Sequence, residues 1–393
     1  MTKALMACKC LVILVFLGLI TGCWDRKEMD DLALVMASGF DITDDGQLEL
    51  TLQIALPTGI PSAVQTGGGG KKSVVVLSAK GGSASEAAGL LQQQLSRVIY
   101  LGHRGVIVFG EEFARHGLNQ VLDTFSRLPE SRYNGYVVTA YGSTAKEILN
   151  EPYQLELIPS IGINKMQASK VSLPVKIDEF LNALSSQGRS PVTATIRIIH
   201  KDTDKETFSI DRAAVYRGNK LSGFLEPSEL KLLRWWMGGT QGMRFTLQLE
   251  PEDEEYKGTV VVELLQSGKK IRTTVKNGIP EIWVSFHASV RVTDNDTRLD
   301  LSSSNNMKRV ETQFSKHIQT EFENMLTHVQ KELKSDIFGI GEEIHIEHPY
   351  AWKKIRSKWT DIYPVVPVTV VDVNIKIKQM GKTQAPAQMK KTD

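Results

Sequence analysis

The apolar positions change period several times along the chain, and those changes outline its elements. Residues 10–20 read CLVILVFLGLI, an unbroken apolar run bounded by Lys9 and by the small residues Thr21 and Gly22. Beyond it the runs are shorter and separated by turn residues. Residues 33–42 and 48–56 read as strands joined at Asp44-Asp45-Gly46, and 73–79 as a third, whose Val-Val-Val run predicts burial on both faces. Ser83 or Ser85 can cap a helix running through Leu95, with Glu86 in its first turn. Residues 104–110 then predict a strand, 111–127 a helix, 136–141 a strand and 144–150 a short helix. An irregular stretch at 151–174 precedes a helix at 177–186 and a strand at 192–200. Strand and helix alternating in this way predict an α/β layer structure.

The pattern changes after the charged turn at 201–206. Residues 213–217 and 221–225 read as a hairpin turning at Gly218-Asn219-Lys220, and 226–237 as a helix with Pro227 in its first turn. The acidic run 250–255 reads as a solvated loop. Segments 259–265, 270–275 and 281–293 predict a β-meander with turns at Ser267-Gly268 and Asn277-Gly278. Met307, Val310, Phe314, Ile318, Phe322, Met325, Val329 and Leu333 then recur at steps of three or four, one apolar stripe facing a sheet, with Gly339 and Gly341 ending the helix. Val371, Val373, Ile375 and Ile377 alternate with polar residues as a half-buried strand.

These patterns predict an α+β or mixed α/β chain of several domains, with a long amphipathic helix packed on an antiparallel sheet in the last. The expected divisions are a signal segment at 1–22, an α/β domain at 23–200, a small middle domain at 201–257, a C-terminal α+β domain at 258–378 and a disordered tail at 379–393.

Composition narrows the class. With 41% hydrophobic and 23% charged residues in 393, the chain reads as a folded globular protein. Its net charge of +2 resides in Lys3 and Lys9, since 47 basic side chains less these two leave 45 against 45 acidic ones. A neutral remainder gives no electrostatic case for nucleic acid. Cys8, Cys10 and Cys23 are the only cysteines, so the folded part has neither an internal disulfide nor a cysteine metal site.

The N-terminus reads as an export signal. Lys3 and Lys9 supply the positive start, and the apolar run is too short to span a bilayer, which takes about 20 apolar residues. Ile20-Thr21-Gly22-Cys23 resembles the bacterial lipobox. Small side chains admit the peptide to a narrow protease site, and the Cys23 thiol is the one group there that a diacylglyceryl group can alkylate. Cleavage would leave Cys23 first in the mature chain, with an S-diacylglyceryl and an N-acyl group. Two or more acyl chains anchor stably where one would be marginal.

Other candidate chemistry dissolves on spacing. Gly67-Gly68-Gly69-Gly70-Lys71-Lys72-Ser73 imitates a phosphate loop, but Lys72 intervenes before the serine and a strand follows where a helix should begin. Glu112 and His116, four apart with His103 upstream, could be a metal set but read more simply as a helical surface pair. His345 and His348 have no acidic or cysteine partner at ligand spacing. No Gly-x-Ser-x-Gly elbow occurs, and adjacent Glu111 and Glu112 diverge on a helix. Trp235, Trp236, Trp352, Trp359 and Tyr363 suit either a core or an interface. The chain reads as a non-enzyme without cofactor.

Several segments together resemble one family, the Ger(x)C spore germination lipoproteins. They are Gly22-Cys23-Trp24-Asp25-Arg26-Lys27-Glu28, the stretch 102–118, Arg127-Leu128-Pro129-Glu130-Ser131-Arg132, the hairpin 213–225, Asp336-Ile337-Phe338-Gly339-Ile340-Gly341, and Trp359. Ile340 stands where the family usually has Phe. The resemblance implies three successive α/β or α+β domains and no known catalysis. It further implies a C subunit of a nutrient germinant receptor, anchored on the outer face of the spore inner membrane beside integral-membrane A and B subunits. The competing reading is the solute-binding lipoprotein of a transporter, which would need a deep cleft between two similar lobes.

Overall fold

The computed structural model describes residues 28–56, 72–127, 133–169, 172–199, 207–240, 242–249, 257–276 and 278–379. The expected lipid site Cys23, the glycine-rich run 67–70, the charged turn 201–206, the acidic run 250–255 and all but the first residue of the tail 379–393 lie outside them.

A mixed sheet of ten strands forms the first layer. Its path runs β10-β9-β7-β6-β5-β1-β2-β3, with β4 beside β1 and β8 beside β7. The strands are β1 (Leu32–Ile42), β2 (Leu48–Ala55), β3 (Val74–Gly81), β4 (Val98–Tyr100), β5 (Val106–Phe109), β6 (Tyr136–Ala140), β7 (Val192–Ile199), β8 (Thr207–Ser209), β9 (Ala213–Arg217) and β10 (Lys220–Leu225). β1, β5, β6 and β7 are parallel, joined by helical crossovers, and antiparallel hairpins extend both sides. Parallel strands covered on both faces need continuous apolar sequence, and all four residues of β5 are buried.

The hairpin expected in the middle segment completes this first sheet, because β9 pairs antiparallel with β7. Two further readings are corrected. The Val-Val-Val run lies on β3, an edge strand whose first five residues are only half buried. The helix expected at 111–127 is two helices, α2 (Glu111–His116) and α3 (Asn119–Arg127), after α1 (Ala84–Gln92). Gly117 between them has φ 122°, a backbone that favours glycine, and the next amide, Leu118 N–H, donates to the Asn219 carbonyl of the hairpin turn at 3.0 Å. α4 (Ala145–Asn150), α5 (Pro159–Ala168) and α6 (Ile177–Ser185) complete the layer. α5 occupies the stretch read as irregular.

α7 (Pro227–Trp236) leads to the second sheet, ordered β11 (Arg244–Leu249), β12 (Gly258–Lys276), β13 (Ile279–Asn295) and β14 (Val368–Gln379). Three strands are antiparallel, and β14 joins β13 in parallel. The turn expected at Ser267-Gly268 does not form. β12 runs through it, paired with Ala288 and His287, and the His287 ring lies over Gly268, where a Cβ would sit 2.5 Å from it and the exposed ring would have to turn aside.

The apolar stripe read from the sequence is α8 (Ser304–Thr327), which continues as one π-turn over His328–Glu332. It ends at Lys334, with φ 51°, rather than at the glycines. Gly339 and Gly341 instead open α9 (Ile340–Glu347), followed by α10 (Pro349–Ile355) and α11 (Trp359–Ile362), none of which the pattern predicted. The stripe packs on β14 and on an aromatic cluster. Phe322 stacks on Phe286 with ring centroids 3.9 Å apart, and Trp235 meets both edge-on at 5.8 and 5.9 Å.

Truncating Phe322 removes the centre of that cluster. Phe322→Ala should cost about 3–5 kcal/mol in urea unfolding, and a loss below about 1 kcal/mol would place the core elsewhere.

Candidate functional site

The two sheets meet through the segment 334–342, and one carboxylate organises the contact. Asp336 follows the last turn of α8, and its side chain is buried, 3% exposed. One oxygen accepts the Ile340 N–H at 3.0 Å, and the other accepts the Gly341 N–H at 2.8 Å and the Trp359 indole N–H at 2.9 Å. The two amides belong to the first turn of α9, where backbone donors have no partner within the helix. The Asp336 carbonyl accepts the Ser190 N–H at 2.7 Å, which ties the loop to the entrance of β7.

Close backbone approach then dictates two glycines. A Cβ on Gly341 would lie 2.7 Å from the Gly188 Cα and from the Trp359 indole nitrogen, and a Cβ on Gly188 would lie 2.8 Å from the Glu342 amide nitrogen. Around this contact Trp236 donates its indole N–H to the Phe338 carbonyl at 2.9 Å, and Arg189 pairs with Glu342 at 3.0 Å. Trp352 meets Trp359 edge-on at 5.4 Å, and Trp359 meets Tyr363 at a tilt at 5.8 Å. The five aromatics with two readings are therefore core residues, each buried here.

The first layer repeats the device. Asp41 at the end of β1 accepts the Ala145 N–H at 2.8 Å and the Lys146 N–H at 2.9 Å, opening α4, while Thr144 and Glu147 close a capping box. Burial pushes both carboxyls up to about 6 against the pull of the same backbone hydrogen bonds. For Asp336 the local cue is an aspartate four residues before an apolar helix start, a spacing met elsewhere, whereas Asp41 lies 104 residues before the helix it opens and no local spacing marks it.

Between the layers lies a cavity of about 720 Å³, walled by Leu173, Phe180 and Arg189 on one side and by Arg234, Gly238 and Leu264 on the other. Among the described residues no histidine or cysteine lines it. Its charged rim is engaged: Glu263 pairs with Arg291 at 3.0 Å and Arg189 with Glu342. Of the residues weighed for metal, Glu112 and His116 lie on α2 and His103 stands against the Tyr100 ring at 5.8 Å. Among the described residues no three His, Cys, Asp or Glu side chains come together as a metal site. Glu111 is positioned by Arg115 at 2.7 Å and accepts the Gly142 N–H at 2.7 Å, so it braces the loop before α4. Among the described residues no helix is long and apolar enough to cross a membrane.

The buried carboxyls predict a pH dependence. Their folded values lie above the usual 3.8, so the native state holds extra protons between about pH 4 and 6. The stability they contribute is full below that window and is lost as pH rises through it. For Asp336 the loss is on the order of 3 kcal/mol. Asp336→Asn should flatten the fall of urea midpoint between pH 4 and 6; an unchanged slope would mean the carboxyl is already ionised throughout.

Comparison with known proteins bears on the whole chain. The profile described as "Spore germination protein N-terminal domain" matches residues 25–198, and that described as "Spore germination B3/ GerAC like, C-terminal" matches 211–381. Spore germination protein B3 of Bacillus subtilis (strain 168) is 27% identical over 387 residues, covering 95% of this chain and 98% of its own. Spore germination protein KC of the same organism is 26% identical over 386 residues, covering 92% and 94%. The crystal structure of the GerBC protein superposes with a TM-score of 0.57 at 23% identity, covering 87% of this chain and 97% of that one, a likeness of fold. The sequence segments that suggested a family include the loop where the two sheets lock together, and the chain belongs to the GerAC/GerKC-like C-subunit family of spore germination proteins.

Proposed function

We propose that this protein is the lipid-anchored C subunit of a nutrient germinant receptor, a non-catalytic component required for the spore's response to nutrients. The observation that carries the reading is the family match across both layers of a chain whose N-terminus has the lipobox Ile20-Thr21-Gly22-Cys23. Cys23 carries the S-diacylglyceryl and N-acyl groups and holds the protein at the outer face of the spore inner membrane. The exported layers contact integral-membrane A and B subunits there. The functional divisions proposed with this reading are those drawn from the sequence: a signal at 1–22, domains at 23–200, 201–257 and 258–378, and a tail at 379–393.

The competing solute-binding reading asks for two similar lobes around a cleft. The two sheets here differ in strand number, order and direction, which favours the receptor role.

Spores carrying Cys23→Ala should lose the protein from the inner-membrane fraction and lose germination with one set of nutrients while keeping it with others. A null mutant that germinates normally with every nutrient tested would overturn the proposal.

A further inference from the structure

A lipid on Cys23 constrains which end of the molecule meets the bilayer. Glu28, where the described chain begins, is five residues beyond Cys23, so the two are at most about 18 Å apart. Glu28 leads directly into β1. With Cys23 acylated, the start of β1 is held close to the lipid surface. Strand register shows what else lies at that end. Ala37 of β1, Val106 of β5 and Tyr136 of β6 stand in one row, and two residues further along Val138 is level with Ala194 of β7. Val192 of β7 faces Val215 of the antiparallel β9. Arg217, the last residue of β9, therefore lies at the same end of the sheet as the start of β1, four strand spacings or about 19 Å across. Its guanidinium pairs with Asp361 of α11 at 3.3 Å. α10 and α11 are thereby fixed at the tethered end.

This segment carries a concentrated positive charge. Trp352, Ile355 and Trp359 recur at steps of three and four and turn inward, the two tryptophans buried and Ile355 half-buried. Lys353, Lys354, Arg356 and Lys358 fall between them, and all four are exposed. Residues 348–360 contain no acidic side chain. The acids on either side are engaged: Glu347 accepts the Thr273 hydroxyl of β12, and Asp361 is held by Arg217. Tyr350, 87% exposed, stands in the first turn of α10. In a mature chain of zero net charge this is a local excess of four positive charges.

We propose that the outer face of α10 and of the turn Arg356–Lys358 lies on anionic phospholipid, as a second membrane contact. This contact depends on the proposed Cys23 anchor for its place beside the bilayer. Each lysine or arginine near an anionic bilayer strengthens binding about fivefold, and an amphipathic tyrosine ring suits the headgroup level. An acidic protein face would suit the same charges, but the short tether makes lipid the surface already within reach. The acyl groups retain the chain without help, so the basic face sets orientation. It stops the tethered molecule from pivoting and turns the far end of the first sheet, with the turn between β1 and β2, away from the bilayer.

In the acylated chain the Cys23 sulfur is a thioether, so a cysteine introduced elsewhere is the sole thiol of the mature protein. Tyr350→Cys and Asp44→Cys each take an environment-sensitive fluorophore, Asp44 lying in the turn after β1, about 35 Å from its start. The labelled chains are placed on phosphatidylcholine vesicles with or without phosphatidylglycerol. A headgroup-borne quencher should quench the Tyr350 label on phosphatidylglycerol vesicles alone, and the Asp44 label on neither. The quadruple variant Lys353→Gln/Lys354→Gln/Arg356→Gln/Lys358→Gln should abolish the quenching while flotation with vesicles and melting stay unchanged. A second arm needs no anchor. The Cys23→Ser chain, residues 23–393, should bind phosphatidylglycerol vesicles at low salt at least about tenfold more tightly than the same chain with the quadruple variant, and should release them as salt rises. Equal binding by these two chains, or a Tyr350 label no more quenched than the Asp44 label, would overturn the proposal. An unsubstituted chain that fails to float with neutral vesicles overturns the anchor instead, and the second arm then decides the basic face by itself. Indifference to lipid charge together with a lost germination response in quadruple-variant spores would also overturn it and would assign the face to an acidic partner protein.

Discussion

The buried carboxylate of Asp336 is the constraint on which the arrangement of the two layers depends. Three N–H donors from α9 and Trp359 converge on it, and its own carbonyl receives the Ser190 amide from the other layer. An acidic side chain at a helix start is favourable through both direct hydrogen bonds and the local dipole. Full burial opposes this by penalising the charge, and the two effects leave the carboxyl poised near 6. The glycines at 188 and 341 follow from it, because the loop that Asp336 folds can reach the first layer only if neither backbone carries a Cβ. Replacement by a hydrophobic residue of similar size would leave two amides and an indole unsatisfied in the interior, which is the costlier way to lose a hydrogen bond.

α8 has a second architectural role besides filling the core. Its apolar stripe covers one face of the second sheet, while Glu311, Ser315 and Gln319 on its flank bond to the outer edge of β14. Its end closes β10 of the first sheet through Leu333. One helix thus seals an edge on each sheet and leads straight into the Asp336 loop. The π-turn at His328–Glu332 lies at that handover, where the chain shifts from packing on β14 to packing between the layers.

Long elements with one dominant period were legible in the sequence. The stripe from Met307 to Leu333 and the paired β-runs at 33–42 and 48–56 needed only hydrophobic spacing, and the structure places them within a residue or two. Elements held by distant partners were not legible. α9, α10 and α11 are short and open on glycine, proline and the buried Trp359, and α9 draws its first-turn bonds from Asp336, which also accepts the Trp359 indole. The single helix expected at 111–127 is divided at Gly117, a local stop signal that the apolar period overran, and the break is held by the bond of Leu118 to the turn at Asn219. Ser267-Gly268 misled for the opposite reason: the glycine makes room for His287 on the next strand and turns nothing. The lipobox was read from short-range chemistry alone, whereas the role of Asp336 required knowing that Gly188 and Ser190 lie against it.

The central claim is that the protein works from a lipid anchor at Cys23, and intact mass spectrometry of the protein extracted from spore membranes tests it most directly. A mature chain beginning at Cys23, heavier by a diacylglyceryl and an acyl group, is the predicted result. A chain retaining residues 1–22 and carrying no lipid would contradict it and would reassign the apolar run at 10–20 as an uncleaved segment.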